Sequence, residues 1–144
     1  MRAPGGYRVG AWPETVGHVE QYFLNRGTFL DCRGGLTVAE TSRWGVGVTV
    51  ITQSHDTGNW PIHGEIVDRP VIVRGYAWIG SRSILCGCDI GEGAIVATGT
   101  VVRCQNVAAY TMVGGNPARV IARWIDGEWA YLPADQSGYG RALE

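Results

Sequence analysis

The sequence predicts an all-β chain folded as a left-handed parallel β-helix, a prism of triangular cross-section built from short strands and tight turns. Two observations carry this prediction. Glycine supplies 22 of the 144 residues, about twice the usual ~7%, as a fold with many tight turns requires, because glycine accepts positive φ angles. Residues 73–102 also divide into units of six, a period that fits neither a helix nor an alternating strand.

Each complete six-residue unit begins with an aliphatic residue and carries a small residue at its fifth position. The first residues are Val73, Ile79, Ile90 and Val96, and the fifth residues are Ala77, Ser83, Ala94 and Thr100. We expect each unit to form one face of the prism, and three units to form a coil of ~18 residues that stacks at the spacing of parallel strands. The first and fifth residues then point inward and form an apolar column that no single coil buries alone.

Two parts of the sequence follow the six-residue period less regularly. The unit at residues 85–89 is one residue short, and we expect a tightened corner there without loss of the coil. The spacing recurs upstream at Val38, Trp44 and Val50, with Ser42, Val48 and Ser54 at the fifth positions. Trp44 is bulky for an inward corner, which makes its unit the weaker match.

A single domain with three parts is expected. Residues 28–119 supply the coils, and residues 1–27 form an irregular N-terminal segment, in which Val16, Val19 and Phe23 give residues 14–24 a short helical pattern. Residues 120–144 form a C-terminal cap and tail, where Asp126-Gly127 between apolar runs favours a hairpin, with a short helix as the alternative.

An extended loop is predicted at residues 53–70, where the six-residue rhythm stops. This polar stretch contains two glycines, two prolines and two of the three histidines. Such a composition is typical of a loop that leaves a scaffold and carries function.

Composition argues against several classes of protein. The net charge of −1 gives no electrostatic reason to expect binding to nucleic acid or to a membrane surface. No apolar run reaches the ~18 residues of a membrane span, and the first ten residues have no apolar signal core, so we expect a cytoplasmic protein. Cys86-Gly87-Cys88 is too closely spaced for a zinc pair; the four cysteines are expected to be reduced, packed thiols.

Three segments resemble the hexapeptide-repeat acetyltransferases, most closely the maltose, galactoside and capsule-type sugar O-acetyltransferases. They are residues 71–80, 89–97 and 114–121, within a region of resemblance that covers roughly residues 28–124. The resemblance implies a homotrimer with active sites between neighbouring subunits. It also implies acetyl coenzyme A as co-substrate, no metal, and a small acceptor such as a sugar hydroxyl.

The resemblance also implies a catalytic histidine. The family places it after a short apolar strand, and the match here is Ser54-His55-Asp56 after residues 48–51. A sugar hydroxyl is a poor nucleophile at neutral pH, and an imidazole such as that of His55 can take its proton during direct attack on the thioester.

The sequence does not identify the groups that would assist this base. Asp56, Glu65 and Asp68 are alternative carboxylates to orient the ring, and the oxyanion donor is not identified. His63 is the second candidate for the base, and His18 is expected to be structural or exposed.

Coenzyme A is expected to lie along the prism against backbone groups, because small residues let the pantetheine approach closely. The resemblance implies contacts at Trp78, Gly80, Ser81, Ala97 and Thr98, with Arg103 and Arg119 as partners for phosphate oxygens. The family's usual Lys-Asp pair is replaced here by Arg103-Cys104.

Two other functions remain as alternatives. A non-catalytic β-helix scaffold or ligand-binding protein has the same fold, since fold does not define function. A zinc enzyme of the γ-carbonic anhydrase type needs three histidine ligands, and His18, His55 and His63 lack the expected spacing. Relatives also acetylate amines, serine and antibiotics, and the N-terminal helices that shape the family's acceptor pocket are not seen in this sequence, so the acceptor is left open.

Overall fold

The computed structural model describes residues 2–3, 6–9, 24–58 and 64–133. This part of the chain contains seventeen strands and no helix, so the predicted all-β class is confirmed. It accordingly includes no helix long and apolar enough to cross a membrane.

The prism is formed by three parallel sheets, A, B and C, which the chain visits repeatedly in the order B, A, C. Sheet B consists of β3 (Phe29–Leu30), β6 (Thr49–Ile51), β11 (Ile84–Cys86) and β14 (Val101–Arg103). Sheet A contains β4 (Leu36–Ala39), β9 (Val71–Val73) and β12 (Asp89–Ile90), and a bridge joins Ile90 to Val107. Sheet C contains β5 (Arg43–Trp44), β10 (Trp78–Ile79), β13 (Ile95–Val96) and β15 (Thr111–Gly114). Each edge of the prism is named after the two sheets that it joins: the B–A edge lies between sheets B and A, the A–C edge between sheets A and C, and the C–B edge between sheets C and B.

Three antiparallel pairs complete the structure. They are β1 (Arg2–Ala3) with β2 (Gly6–Val9), β7 (Gln53–His55) with β8 (Ile66–Asp68), and β16 (Arg119–Ile125) with β17 (Glu128–Tyr131). Strand β2 pairs with β4 and so extends sheet A. The expected irregular N-terminal segment is therefore wrong for these strands, because β4 offers unpaired backbone groups that another strand can satisfy. The expected helix at residues 14–24 falls, apart from residue 24, outside the described residues.

The predicted inward residues within residues 73–102 are all buried. They are Val73, Ala77, Ile79, Ser83, Leu85, Ile90, Ala94, Val96, Thr100 and Val102. Trp44 also points inward, and its Nε1 donates a hydrogen bond of 2.9 Å to the hydroxyl of Ser42, which satisfies the polar atom of the buried ring. The assignment of Ser54 to the prism is wrong, because the chain leaves the coil after Thr52 and Ser54 lies in β7.

Each of the last two coils contains 17 residues, one fewer than expected. Residues that pair between successive coils are 17 positions apart in the sequence. The pairs are Trp78 with Ile95, Ile84 with Val101, and Ile72 with Asp89. The missing residue is always at the B–A edge, where a five-residue step follows Leu85 and another follows Val102.

The predicted tight corner at residues 85–89 is confirmed. Gly87 has a φ of 56°, and Cys104, one coil later, has a φ of 51°. The backbone N–H of Cys104 donates to the carbonyl of Cys86 at 2.9 Å, so the two shortened corners stack directly on one another.

The B–A edge also carries the insertion at residues 53–70. Thr52 is buried at the end of its coil, and the N–H of Arg69 donates to its carbonyl at 2.7 Å. The chain therefore leaves and re-enters the prism at one point. Strands β7 and β8 are the two arms of this insertion, and residues 59–63 at its tip lie outside the described residues.

The predicted C-terminal hairpin is confirmed. Asp126 and Gly127 have φ angles of 51° and 90°, as a two-residue turn with two positive φ angles requires. Strand β16 pairs with β15, so the hairpin continues sheet C beyond the last coil.

Two buried threonines give a matched test of the prism interior. Within the described chain, the hydroxyl of Thr100 is buried without a hydrogen-bond partner. Thr100→Val should therefore leave the free energy of unfolding unchanged or raise it by up to about 1 kcal/mol, since the valine removes an unsatisfied polar atom. Urea denaturation measures the change.

Thr52→Val is the control for this substitution. The Thr52 hydroxyl donates to the carbonyl of Asp31 at 2.8 Å and accepts from the N–H of Gly34 at 2.9 Å. Its loss should lower the free energy of unfolding by about 1–3 kcal/mol, because two buried backbone groups lose their partner. Equal effects of the two substitutions would contradict this picture of the interior.

Candidate active site

His55 lies at the end of β7 on the inserted hairpin, exposed and paired with Ile66 in β8. Its ring atom Nδ1 is 3.5 Å from the carbonyl oxygen of Gly64, which is the long limit of a hydrogen bond. When Nδ1 carries the proton and donates to this carbonyl, Nε2 keeps its lone pair and faces away from the hairpin as an acceptor.

Two of the three carboxylates proposed from the sequence bind other groups. Asp68 accepts a hydrogen bond of 3.0 Å from Nε2 of Gln53, and Asp56 accepts one of 2.8 Å from the N–H of Gly58. Within the described residues, none of Asp56, Glu65 and Asp68 has a hydrogen bond to the His55 ring. His63 and His18 lie outside the described residues.

Gly64 lies beside His55 in the structure, a contact that the sequence did not predict. A Cβ at this residue would lie 2.7 Å from the backbone oxygen of Asp56, which is too close for any side chain. Glycine therefore lets the two arms of the hairpin approach, and this approach brings the Gly64 carbonyl to His55. A carbonyl oxygen carries no sequence signature, so only the unusual packing of a loop glycine could have indicated it.

Most of the expected coenzyme A contacts line the C–B edge. Ser81, Ala97 and Thr98 form the turns of two successive coils there, and the N–H of Gly99 donates to the carbonyl of Ser81 at 2.8 Å. The Ser81 hydroxyl accepts from the N–H of Val46 at 3.1 Å, whereas Thr98 is exposed. This edge thus offers a run of small residues along the prism axis.

Gly80 lies on the same edge, but its missing side chain faces the protein. A Cβ there would lie 2.5 Å from the backbone nitrogen of Thr98 and 2.6 Å from the carbonyl oxygen of Val96. Gly80 is also buried. Glycine is needed at this position because the next coil stacks against it, and this reason differs from the expected approach of a ligand.

The remaining expected contacts are spread over the surface. Arg119 is exposed at the start of β16, and its guanidinium donates to the carbonyl of Ala118 at 3.0 Å. Trp78 is 54% exposed on the outer face of sheet C. Arg103 is exposed at the end of β14, next to the B–A edge from which the His55 hairpin emerges.

Sheet B separates the small residues of the C–B edge from His55 and Arg103 at the B–A edge. Its outer face carries Phe29, Ile51, Ile84 and Val101, of which Phe29 is 61% exposed. One border of this apolar face is the C–B edge with the small residues, and the other is the B–A edge with His55. A single copy of the chain therefore does not bring His55 together with the C–B edge.

Cys86 and Cys88, which lie near Arg103, are thiols at neutral pH. Burial raises the pKa of Cys88 to about 12. Burial and the neighbouring Cys104 raise the pKa of Cys86, and Arg103 and Arg69 lower it by less. Neither side chain is poised as a thiolate nucleophile. In the part of the chain that the structure describes, no group of three or more His, Cys, Asp or Glu side chains is arranged to hold a metal.

Comparison with known proteins finds similarity to acetyltransferases. No family model matches the chain. A chloramphenicol acetyltransferase of Agrobacterium fabrum is 33% identical over 74 residues, which are 51% of this chain and 35% of that protein. The chain thus matches only about a third of the length of this curated relative.

Two solved structures share the fold. A hexapeptide-repeat acetyltransferase of Vibrio cholerae has a TM-score of 0.64 and 28% identity, over 72% of this chain and 60% of that one. A maltose O-acetyltransferase of Clostridium difficile has a TM-score of 0.63 and 27% identity, over 72% and 56%. The Vibrio protein has also been solved with acetyl coenzyme A, and that structure has a TM-score of 0.55 and 24% identity over 72% and 60%. The resemblance to hexapeptide-repeat acetyltransferases is confirmed.

The close packing at Gly80 predicts a change in stability. Gly80→Ala should lower the free energy of unfolding by about 1–3 kcal/mol, because its methyl group meets the backbone of the next coil. Thr98→Ala, on the exposed side of the same edge, should change it by less than about 0.5 kcal/mol. Urea denaturation of both variants measures the difference, and a Gly80→Ala variant as stable as the wild type would contradict the stacking role.

Proposed function

We propose that this chain forms a homotrimeric O-acetyltransferase that moves the acetyl group of acetyl coenzyme A to a hydroxyl of a sugar or a similar small acceptor. The observation that carries the proposal is the position of His55 and of the small-residue edge on opposite borders of one apolar face. In the same proposal the coils are left-handed, as in the family that the sequence resembles. Reduced cysteines and the use of acetyl coenzyme A both favour the cytoplasm.

The apolar outer face of sheet B supports the assembly. Exposed patches of large apolar residues mark interaction surfaces, and this one includes Phe29 and Ile51. When a neighbouring copy packs on it, the B–A edge of one subunit meets the C–B edge of the next. This is a heterologous contact, and three copies close such contacts into a ring. Each of the three junctions then contains one His55.

The C–B edge supports binding of the co-substrate. Acetyl coenzyme A is bound by the Vibrio acetyltransferase that shares this fold. In this chain its pantetheine would lie along Ser81, Ala97 and Thr98, with Trp78 beside it on sheet C. Arg119, and Arg103 of the copy whose B–A edge faces this C–B edge, are exposed and would hold phosphate oxygens, with which guanidinium groups form paired hydrogen bonds.

The geometry of the hairpin supports His55 as the general base. The Gly64 carbonyl favours the proton on Nδ1, so Nε2 can accept the proton of the acceptor hydroxyl. The hydroxyl oxygen attacks the thioester carbonyl, the carbon–sulfur bond breaks, and the protonated imidazole returns its proton to the leaving thiolate. No covalent enzyme intermediate is required, in agreement with the protonated state of the Cys86 and Cys88 thiols.

The assembly is tested first. Replacing Phe29 and Ile51 together by aspartate should convert a trimer into monomers, because each junction would bury unpaired charges. Both residues are exposed in the single chain, so folding should be retained. Sedimentation with light scattering measures the mass, with Tyr131→Asp, a similarly exposed residue on sheet C, as the control. A wild-type chain that is monomeric would contradict the proposed assembly.

The chemistry is tested by release of free coenzyme A thiol in the presence of maltose, galactosides, chloramphenicol and serine. His55→Ala should lower acceptor-dependent release by at least about 100-fold, the scale of a general base. Its dissociation constant for coenzyme A should stay near that of the wild type, since the proposed contacts with coenzyme A do not include His55.

Ser54→Ala is the matched control, because Ser54 precedes His55 in β7 and is partly buried. It should retain most of the activity. Unchanged turnover by the His55→Ala variant would show that His55 is not the base. A wild-type chain that neither binds coenzyme A nor turns over any acceptor would favour a non-catalytic scaffold.

A further inference from the structure

A row of exposed aromatic residues runs along the A–C edge, outside the proposed active site. Tyr76 is 71% exposed, Tyr110 49% and Trp124 45%, and Trp129 is partly exposed. We call these four residues the aromatic ridge. The edge that carries it is opposite sheet B in the triangular section, so the ridge stays exposed when copies of the chain pack through sheet B.

Backbone hydrogen bonds place the ridge residues in order along the prism axis, with Gly93 at the level between Tyr76 and Tyr110. The N–H of Gly93 donates to the carbonyl of Gly75 at 2.9 Å, that of Tyr110 to Glu92 at 2.8 Å, and that of Trp124 to Tyr110 at 2.9 Å. Trp129 pairs with Trp124, and their ring centroids are 5.4 Å apart. From Tyr76 to Trp129 there are four steps of strand spacing, which gives a straight track of about 19 Å.

The ring of Tyr110 is held in place on this track. A Cβ at Gly93 would lie 2.7 Å from a ring carbon of Tyr110, so glycine provides the space that the ring occupies. The Tyr110 hydroxyl donates to a carboxylate oxygen of Glu92 at 2.9 Å. An aromatic surface that is fixed in advance loses little conformational freedom when a ligand stacks on it.

Charge around the ridge argues against an anionic polymer. Glu92 and Asp126 are exposed acidic residues beside it, whereas Glu128 alternates with Trp129 along β17 and so points to the other face. The guanidinium of Arg74 is bound to Asp89 at 2.7 Å, and Arg123 alternates with Trp124 along β16 and so points to the other face. Arg43 lies at the Tyr76 end, where its guanidinium donates to the backbone carbonyls of Thr41 and Ser42. A nucleic acid needs basic side chains all along its backbone, and among the described residues no such run follows the rings of the ridge.

A chain of neutral sugars has the complementary chemistry. Each sugar ring has an apolar C–H face that stacks on an aromatic ring, and a rim of hydroxyl donors. Ionised carboxylates such as those of Glu92 and Asp126 accept hydrogen bonds from hydroxyl groups. The straight course of the ridge over several rings fits an extended polymer better than a single sugar.

We propose that the aromatic ridge of Tyr76, Tyr110, Trp124 and Trp129 binds a neutral glycan chain, at a site separate from the acetyl-transfer site. The inference depends on the ridge alone and does not require the proposed reaction.

Electrophoresis of the full chain through native gels that contain a soluble glycan tests the proposal. The probes are hydroxyethylcellulose, xyloglucan, mixed-linkage β-glucan and glycogen, with single-stranded oligothymidine in solution as the anionic comparison. At least one neutral glycan should retard the wild type. The double variant Tyr76→Asn/Tyr110→Asn should bind that glycan at least about tenfold more weakly, since it loses two stacking rings.

Asparagine is the replacement because Tyr76 and Tyr110 have φ angles of 57° and 53°, which asparagine adopts more readily than other non-glycine residues. The double variant should therefore keep the melting temperature, the oligomeric state and the thiol release of the wild type. Ile125→Asn is the control, because Ile125 is exposed, alternates with Trp124 along β16 and so lies on the other face of the strand; it should bind glycan like the wild type.

Several results would overturn the proposal: no retardation by any of the four glycans, equal binding by the double variant, or a preference for oligothymidine. A change of oligomeric state in the double variant would also overturn it, by showing that the ridge is a contact between subunits. Each of these outcomes leaves the test of His55 unaffected, so the two proposals fail separately.

Discussion

Close stacking of the coils is the constraint on which the rest of the structure depends. At the second position of the repeat unit, successive coils approach so closely that an added Cβ at Gly45, Gly80 or Gly91 would lie 2.4–2.5 Å from a backbone nitrogen of the next coil. The first and fifth residues of each unit fill the interior of the prism. Function is therefore confined to the three edges, the outer faces and the insertion, and each of these elements has its own chemistry.

The edges differ because the coil is not uniform. One residue is missing at the B–A edge in each 17-residue coil, and the hairpin with His55 is inserted at that same edge between Thr52 and Arg69. The C–B edge carries small residues, and the A–C edge carries aromatic ones. Since the hairpin and the small-residue edge lie on the two borders of the apolar sheet B, packing of a second copy on that sheet is the direct way to bring them together. The proposed reaction thus follows from the order in which the chain visits its sheets.

The sequence predicted the parts of the fold that repeat, because each inward position must satisfy the same packing requirement in every coil. The regular spacing of Val73, Ile79 and Val96 is therefore sufficient to identify the core. The second short unit, from Val102 to Val107, was missed because a five-residue step is visible only when its stacked partner is known. The pairing of β2 with β4 and the approach of the Gly64 carbonyl to His55 were also missed. Both depend on backbone groups, which are the same in every residue and leave no mark on a sequence.

The central claim, that His55 of one copy acts at the C–B edge of another, is tested most directly by mixing two inactive variants. His55→Ala lacks the base, and Thr98→Trp places a large ring on the exposed part of the co-substrate edge. Co-expression with two different affinity tags allows mixed trimers to be isolated. If the site lies between subunits, a base from the Thr98→Trp chain meets an open edge from the His55→Ala chain at one of the three junctions of every mixed trimer, so the isolated mixed trimers should show about a third of the wild-type thiol release. Mixed trimers no more active than either variant alone would contradict a site shared between copies.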